Sequence, residues 1–271
     1  MEDDNLILHQ CFNTSKNIVK TEKIHIPIAS ECGLGCFYCD FNKSKNIMKY
    51  NGLPGTSEHL VESEKDMISY LSEKFSLFPS CNIIGVSGPG DPLINLNQFN
   101  SLLNIIENHY PEKTICVCTS GANWNRSKNT VLKCNNIKYM TVTINTLKEQ
   151  NLSKIYSSIK EKKIEPYQFI QNQRDIVIDC LRNEINVKLN IVYIEGVNDV
   201  EILDIYNYFK PYGLNCINLL PKIDKEINPV CKNKTINFNE NASYAHKINE
   251  LYKNNVPLVT HCFNCSSDYC G

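Results

Sequence analysis

Short apolar runs alternate with longer amphipathic stretches along nearly the whole of this chain. Residues 24–29, 82–87, 114–119, 139–145, 187–194 and 214–220 are compact apolar runs bounded by turn residues, the pattern of buried strands. Between them, apolar positions at 60, 67, 68, 71, 75 and 78 recur at helical spacing and predict a helix over 57–78. Phe99, Leu102, Leu103, Ile105 and Ile106 predict another helix that stops at Pro111. The charged stretch 148–186 reads as mainly helical with a break near Pro166. Asn198 with Glu201 three positions on predicts a capping box, and Gly213 predicts the end of that helix. A helix around 242–253 and a short strand over 256–260 close the pattern, with no internal repeat and no low-complexity linker.

Six or seven β–α units in succession imply a parallel sheet with right-handed crossovers. The expected fold is therefore α/β, a TIM-type (β/α) barrel or a partial barrel. It divides into an N-terminal arm over 1–23, the barrel over 24–255 and a cysteine-rich tail over 256–271. Chemistry in such barrels sits at the carboxyl ends of the strands. The loop 32–39, the turn Gly88-Pro89-Gly90-Asp91-Pro92 and the run Thr119-Ser120-Gly121 follow the first three strands, so all three fall on one rim.

Composition narrows the chemistry. A net charge of −1 and a pI near 6.6 give no basic surface for nucleic acid or an anionic membrane. No apolar run reaches the length of a membrane span, and the acidic start M-E-D-D-N-L has no export pattern, so a cytoplasmic location is expected. Fourteen cysteines in such a chain point to thiolate ligands in a reducing compartment rather than to disulfides.

The most informative group is Cys32, Cys36 and Cys39 in C-G-L-G-C-F-Y-C. Three thiolates on a tight loop can hold three irons of a [4Fe–4S] cube and leave the fourth without a protein ligand. Ferredoxin-type clusters normally take four thiolates, so an open iron is of use when a substrate or cofactor must bind to it. A zinc knuckle is the competing reading of the same spacing. The spacing resembles the signature of the radical S-adenosylmethionine (SAM) superfamily, with Phe37 and Tyr38 supplying the aromatic before its last cysteine. On that reading Cys32, Cys36 and Cys39 are both metal ligands and catalytic residues. Gly88, Gly90 and Asp91 stand where the superfamily holds the methionine amine, glycines admitting the backbone and Asp91 accepting as a carboxylate. Thr119 and Ser120, with Tyr38, are further candidate SAM contacts. In 139–145, Thr141, Thr143 and Asn145 share one face, predicted to point into the barrel with Asn145 nearest the ribose; Asn190 is a similar candidate.

Several stretches together resemble the nitrogenase FeMo-cofactor maturase family, NifB: I-H-I-P-I-A before the cysteines, G-V-S-G-P-G-D-P-L-I-N (85–95), T-V-T-I-N (141–145), V-K-L-N-I-V-Y-I-E-G-V-N-D (187–199) and C-F-N-C-S-S-D (262–268). The resemblance implies a radical SAM core that takes one or two auxiliary [4Fe–4S] clusters. It also implies fusion of a cluster pair into an eight-iron product around a SAM-derived carbide. The family's additional ligands fall on His9, Cys11, Cys116, Cys262 and Cys265, expected to converge over the same rim. An electron donor of ferredoxin or flavodoxin type, a cluster donor and a scaffold protein are the implied partners.

One departure stands out. The family carries a further cysteine shortly after the three-cysteine loop, whereas 40–53 has none. Cys118, on the same strand face as Cys116, and Cys270 in the tail are the candidate replacements. Cys81, Cys134, Cys180, Cys216 and Cys231 are expected to be structural; His25 and His261 are weak candidates as ligands or proton donors. Two other functions fit parts of the pattern: a radical SAM enzyme with one auxiliary cluster acting on an organic or peptide substrate, and a non-enzymatic metal-binding protein.

Overall fold

The computed structural model describes residues 9–12, 14, 23–39, 60–88, 90–222 and 242–259. Six strands, β1 (Lys23–Pro27), β2 (Ile83–Ser87), β3 (Thr114–Thr119), β4 (Ile137–Thr143), β5 (Asn186–Tyr193) and β6 (Cys216–Pro221), lie side by side in chain order. Every neighbouring pair is parallel. This is the expected partial barrel, with β1 and β6 at its edges. The helices are α1 (Glu64–Leu77), α2 (Leu96–His109), α3 (Trp124–Lys133), α4 (Glu149–Ile155), α5 (Ser157–Lys160), α6 (Pro166–Arg182), α7 (Ile202–Phe209) and α8 (Ala242–Lys253).

Strand alternation sorts the side chains into two layers. Ile24, Ile84, Ile115, Met140, Leu189 and Ile217 face the helices and join Phe99, Leu102, Ile176 and Ile205 in the main core. Each such side chain contributes about 1.5–3 kcal/mol when fully buried. The opposite face lines the lumen and is polar: Lys23 and His25 from β1, Cys116 and Cys118 from β3, Tyr139, Thr141 and Thr143 from β4, Lys188 and Asn190 from β5, Cys216 and Asn218 from β6. Thr141 and Thr143 thus fall on the face that the alternation of 139–145 predicted.

Local expectations were revised in four places. The helix expected over 57–78 starts at Glu64, because Ser63 accepts a hydrogen bond from the Asp66 N–H and caps it there. The capping box is not formed. Asn198 instead accepts from Ile194 N and donates to the Asn145 and Val192 carbonyls, and Glu201 accepts from Thr146 and Asn151. Tertiary contacts claim both side chains, and α7 begins at Ile202 with no side-chain cap. The strand expected over 256–260 is a single bridge beside β6, where Ile217 N donates to Pro257 O (2.9 Å) and Val259 N to Ile217 O (2.8 Å). Helix α3 has no counterpart in the sequence reading.

Candidate functional site

The loop 32–39 leaves β1 and turns back over the carboxyl ends of the strands. Gly33 and Gly35 adopt φ of +74° and +64°, the left-handed region where a Cβ is strained. The α4–α5 junction anchors the loop from below. Ser157 N donates to Gly35 O (3.0 Å), Phe37 N donates to Ile155 O (3.0 Å), and Leu34 O accepts from Ser158 N (3.2 Å) and Oγ (2.7 Å). A Cβ on Gly35 would sit 2.1 Å from Ser157 Oγ, so glycine is required twice over.

Burial pushes the Cys32 thiol up to about 12, with the Asp91 carboxylate and Cys39 adding to it. Burial also raises Cys36, with Cys32 and Cys39 adding repulsion. Three thiols that oppose one another's ionisation are unfavourable as free thiolates and suited to a cationic metal group. Among the described residues, no three His, Cys, Asp or Glu side chains gather around one point as ligands of a single ion would. Three soft thiols on one tight loop are the donor type that an iron–sulfur cube takes.

Tyr38 ties the loop to the barrel. Its hydroxyl accepts from Asn145 Nδ2 (2.7 Å) and approaches Cys36; Tyr156, just before α5, accepts from the same amide (3.1 Å). Asn145 Oδ1 in turn accepts from Val192 N (2.9 Å). Asn145, two residues beyond β4, is fully buried and cross-links the loop, β5 and the α4–α5 junction. Asn190 accepts from Asn218 Nδ2 (3.0 Å) within the lumen.

The glycine turn after β2 packs against the extended segment that leads from β1 into the cysteine loop. Gly90 N donates to Ala29 O (3.0 Å) and Asp91 N to Glu31 O (2.7 Å), and a Cβ on Gly90 would meet Glu31 O at 2.1 Å. The buried Asp91 carboxylate accepts from Leu93 N (3.0 Å), Thr119 Oγ1 (2.8 Å) and Ser120 N (2.8 Å). It thereby clamps the ends of β2 and β3 together beneath Cys32. A cleft of about 270 Å³ opens beside this turn, lined by Ala29, Ser30, Glu31, Asp91, Asn95 and Arg126.

A second group lies deeper. The 3₁₀ turn Gln10–Phe12 packs Cys11 and Phe12 against Cys116, Ile83, Cys216 and Val259. His9 Nδ1 accepts from Cys11 N (3.2 Å), and its ring meets Tyr139 edge-on at 4.9 Å. The Cys116 thiol is drawn well below its ordinary value by a hydrogen bond from Cys118, against the cost of burial, with His9 and the Lys23 charge assisting. His9, Cys11 and Cys116 were expected over the rim. The structure gathers them, with Cys118, inside the lumen and near the residues that begin β1, β2 and β6, because the N-terminal turn enters from that end. Cys216, expected to be structural, borders this group. Cys262, Cys265, Cys270, His261 and Pro89 lie outside the described residues. Sequence reasoning missed Tyr156, Ser157 and Ser158, whose contacts with the loop arise only in the fold.

The sequence profile of the radical SAM superfamily matches residues 26–209, which spans the end of β1, the loop, the glycine turn and the four strands β2 to β5. The chain belongs to the radical SAM superfamily. Such enzymes bind a [4Fe–4S] cluster and SAM, and Cys32, Cys36 and Cys39 are the residues that would hold the cluster. Over nearly the whole chain the sequence is similar to proteins named FeMo cofactor biosynthesis protein NifB. The one from Chlorobaculum tepidum is 26% identical over 98% of this chain and 62% of its own length. That from Methanocaldococcus infernus is 27% identical over 97% of this chain and 85% of its own. Among solved structures, Streptococcus suis SuiB bound to S-adenosylmethionine superposes with a TM-score of 0.61 at 12% identity, over 90% of this chain and 50% of SuiB. Methylornithine synthase (PylB) gives 0.51 at 12% identity, over 86% of this chain and 62% of its own. These two likenesses concern the fold. Among the described residues no helix is long and apolar enough to cross a membrane.

Proposed function

We propose that this radical SAM enzyme is a cluster maturase of NifB type, which fuses two [4Fe–4S] substrates into a carbide-centred eight-iron precursor of a nitrogenase cofactor, with SAM as methyl and radical source. The observation that carries the reading is the second donor group in the lumen: His9, Cys11 and Cys116 brought against one another, with Cys116 biased toward the thiolate. Soft sulfur donors with one imidazole suit iron–sulfur units. Thr141 Oγ1, buried in the same lumen, has no hydrogen-bond partner among the described residues, as expected of a wall that meets a guest.

When bound, the cube and SAM supply one-electron cleavage of a carbon–sulfur bond of the cofactor. The chain's own residues hold the geometry. Asp91 fixes Thr119 and Ser120 at the rim, Asn145 and Tyr38 seat the loop, and the core between strands and helices excludes water. The cysteine missing from 40–53 is replaced in this reading by Cys118 or Cys270. Electrons come from a ferredoxin- or flavodoxin-type donor, and the product passes to a scaffold protein.

Product analysis tests the reading. Reconstituted protein given SAM, reductant and substrate clusters should form both S-adenosylhomocysteine and 5′-deoxyadenosine. Formation of 5′-deoxyadenosine alone, with deuterium transfer from an organic substrate, would reassign the enzyme to another radical SAM reaction.

A further inference from the structure

Helix α6 packs against α3, β4 and β5, and one of its side chains reaches the rim from behind. Gln173 is fully buried, and its Nε2 donates to Ser120 O and to Thr143 O, each at 3.0 Å. The last paired residues of β3 and β4 are Thr119 and Val142, so Ser120 and Thr143 are the next pair in register. One amide thus spans the point where the two strands stop pairing. Beside it, Asn172 Nδ2 donates to Ala122 O at 2.7 Å. Gly121, at φ +77°, rests on the helix: a Cβ there would stand 3.0 Å from Ile176 Cγ2 and 3.6 Å from Gln173 Cα.

Carbonyls only accept, so the amide must turn its NH₂ toward them and use both hydrogens. Its Oε1 is left buried with no hydrogen-bond partner among the described residues, a costly state for an interior acceptor. An apolar side chain of the same length would fill the space without that orphan, but would leave both carbonyls unpaired and the strand ends unjoined. From the two carbonyls run two routes to the cysteine loop. Ser120 donates through N (2.8 Å) and Oγ to Asp91, whose own N–H donates to Glu31 O, one residue before Cys32. Thr143 leads to Asn145, whose Nδ2 donates to the hydroxyl of Tyr38, one residue before Cys39. Gln173 is where the two routes meet.

We propose that Gln173 is a positioning residue of the SAM site. Its amide fixes the spacing between the ends of β3 and β4, and so the placement of Asp91 and Ser120 relative to Asn145 and Tyr38. It lies behind the rim and acts through these residues. The role holds whichever reaction follows SAM cleavage, so it goes beyond the maturase reading and does not depend on it.

The test loads wild type, Gln173→Met, Gln173→Glu and Gln173→Asn with iron and sulfide and titrates each with SAM, following the resonance of the reduced rim cube. Methionine has no donor, ionised glutamate presents only acceptors, and asparagine is one methylene shorter and cannot bridge both carbonyls. Variants that keep wild-type rim iron should need about tenfold more SAM for the half-maximal shift, within what a small misplacement of a binding group costs. Val177→Ala, a core truncation on the same helix that lowers the melting temperature, should leave that midpoint at its wild-type value. An unchanged midpoint in the Gln173 variants would overturn the proposal. An equal rise in Val177→Ala would also overturn it, by tracing the effect to general loss of stability. Loss of rim iron in all three Gln173 variants would do the same, by making Gln173 a support of the whole fold.

Discussion

Asp91 shows how a single side chain serves the site without facing solvent. Its two oxygens take hydrogen bonds from Leu93, Thr119 and Ser120, and its charge adds to the burial that holds Cys32 protonated. Replacing it by asparagine turns one acceptor into a donor facing the Ser120 or Leu93 N–H. A buried group left unsatisfied costs about 1–3 kcal/mol. Asp91→Asn should therefore lower thermal stability by that order and reduce SAM cleavage, which calorimetry and product assays would register; an unchanged melting temperature would remove the clamp from the account. The thiols carry a pH consequence. Cys32 is raised from 9.0 to about 12, so the metal-free fold keeps this contribution below pH 9 and loses it as pH climbs toward 12. Iron must displace those protons, so loading of the rim loop should improve as pH rises from 7 to 9. Loading that is flat across this interval would show that the thiols are already ionised.

At the scale of elements, the loop and the α4–α5 junction are one unit. Gly35→Ala introduces left-handed strain of roughly 1–2 kcal/mol and drives its Cβ into Ser157 Oγ. The variant should hold less rim iron, and a second change, Ser157→Gly, should recover only part of the loss because the strain remains. Full recovery would make the clash the whole effect. This coupling was not legible in the sequence. The glycines could be read as turn residues, but Ser157 and Tyr156 sit more than a hundred positions away and have no motif of their own. The same limit explains the capping box that did not form, since Asn198 and Glu201 have the right spacing but are drawn into contacts with Asn145, Thr146 and Asn151. Helix α3 was hidden because only Trp124, Ser127 and Val131 are buried along it, which leaves a faint apolar stripe. The six strands were legible as short apolar runs bounded by turn residues, and β4 departs from strict alternation where its register against β3 shifts and both Ile137 and Met140 enter the core.

Across the whole molecule, the barrel carries donor sets at two depths. The three-cysteine loop lies on the rim and was readable from spacing alone. The lumen group was readable only as residue types, because nothing in the periodicity of the arm reveals from which end His9 and Cys11 enter. Separation in depth implies separable roles. Cys36→Ala should abolish SAM cleavage, whereas Cys116→Ala should lower iron content and leave uncoupled cleavage measurable; equal loss of cleavage in both would merge the two sites into one. The most direct test of a barrel with two iron–sulfur centres is the iron and sulfide content per chain after anaerobic reconstitution, read together with paramagnetic resonance of the reduced protein. The account predicts more iron than one cube holds and two signals, of which only one responds to SAM. The iron of a single cube, with one signal that shifts completely on adding SAM, would contradict it.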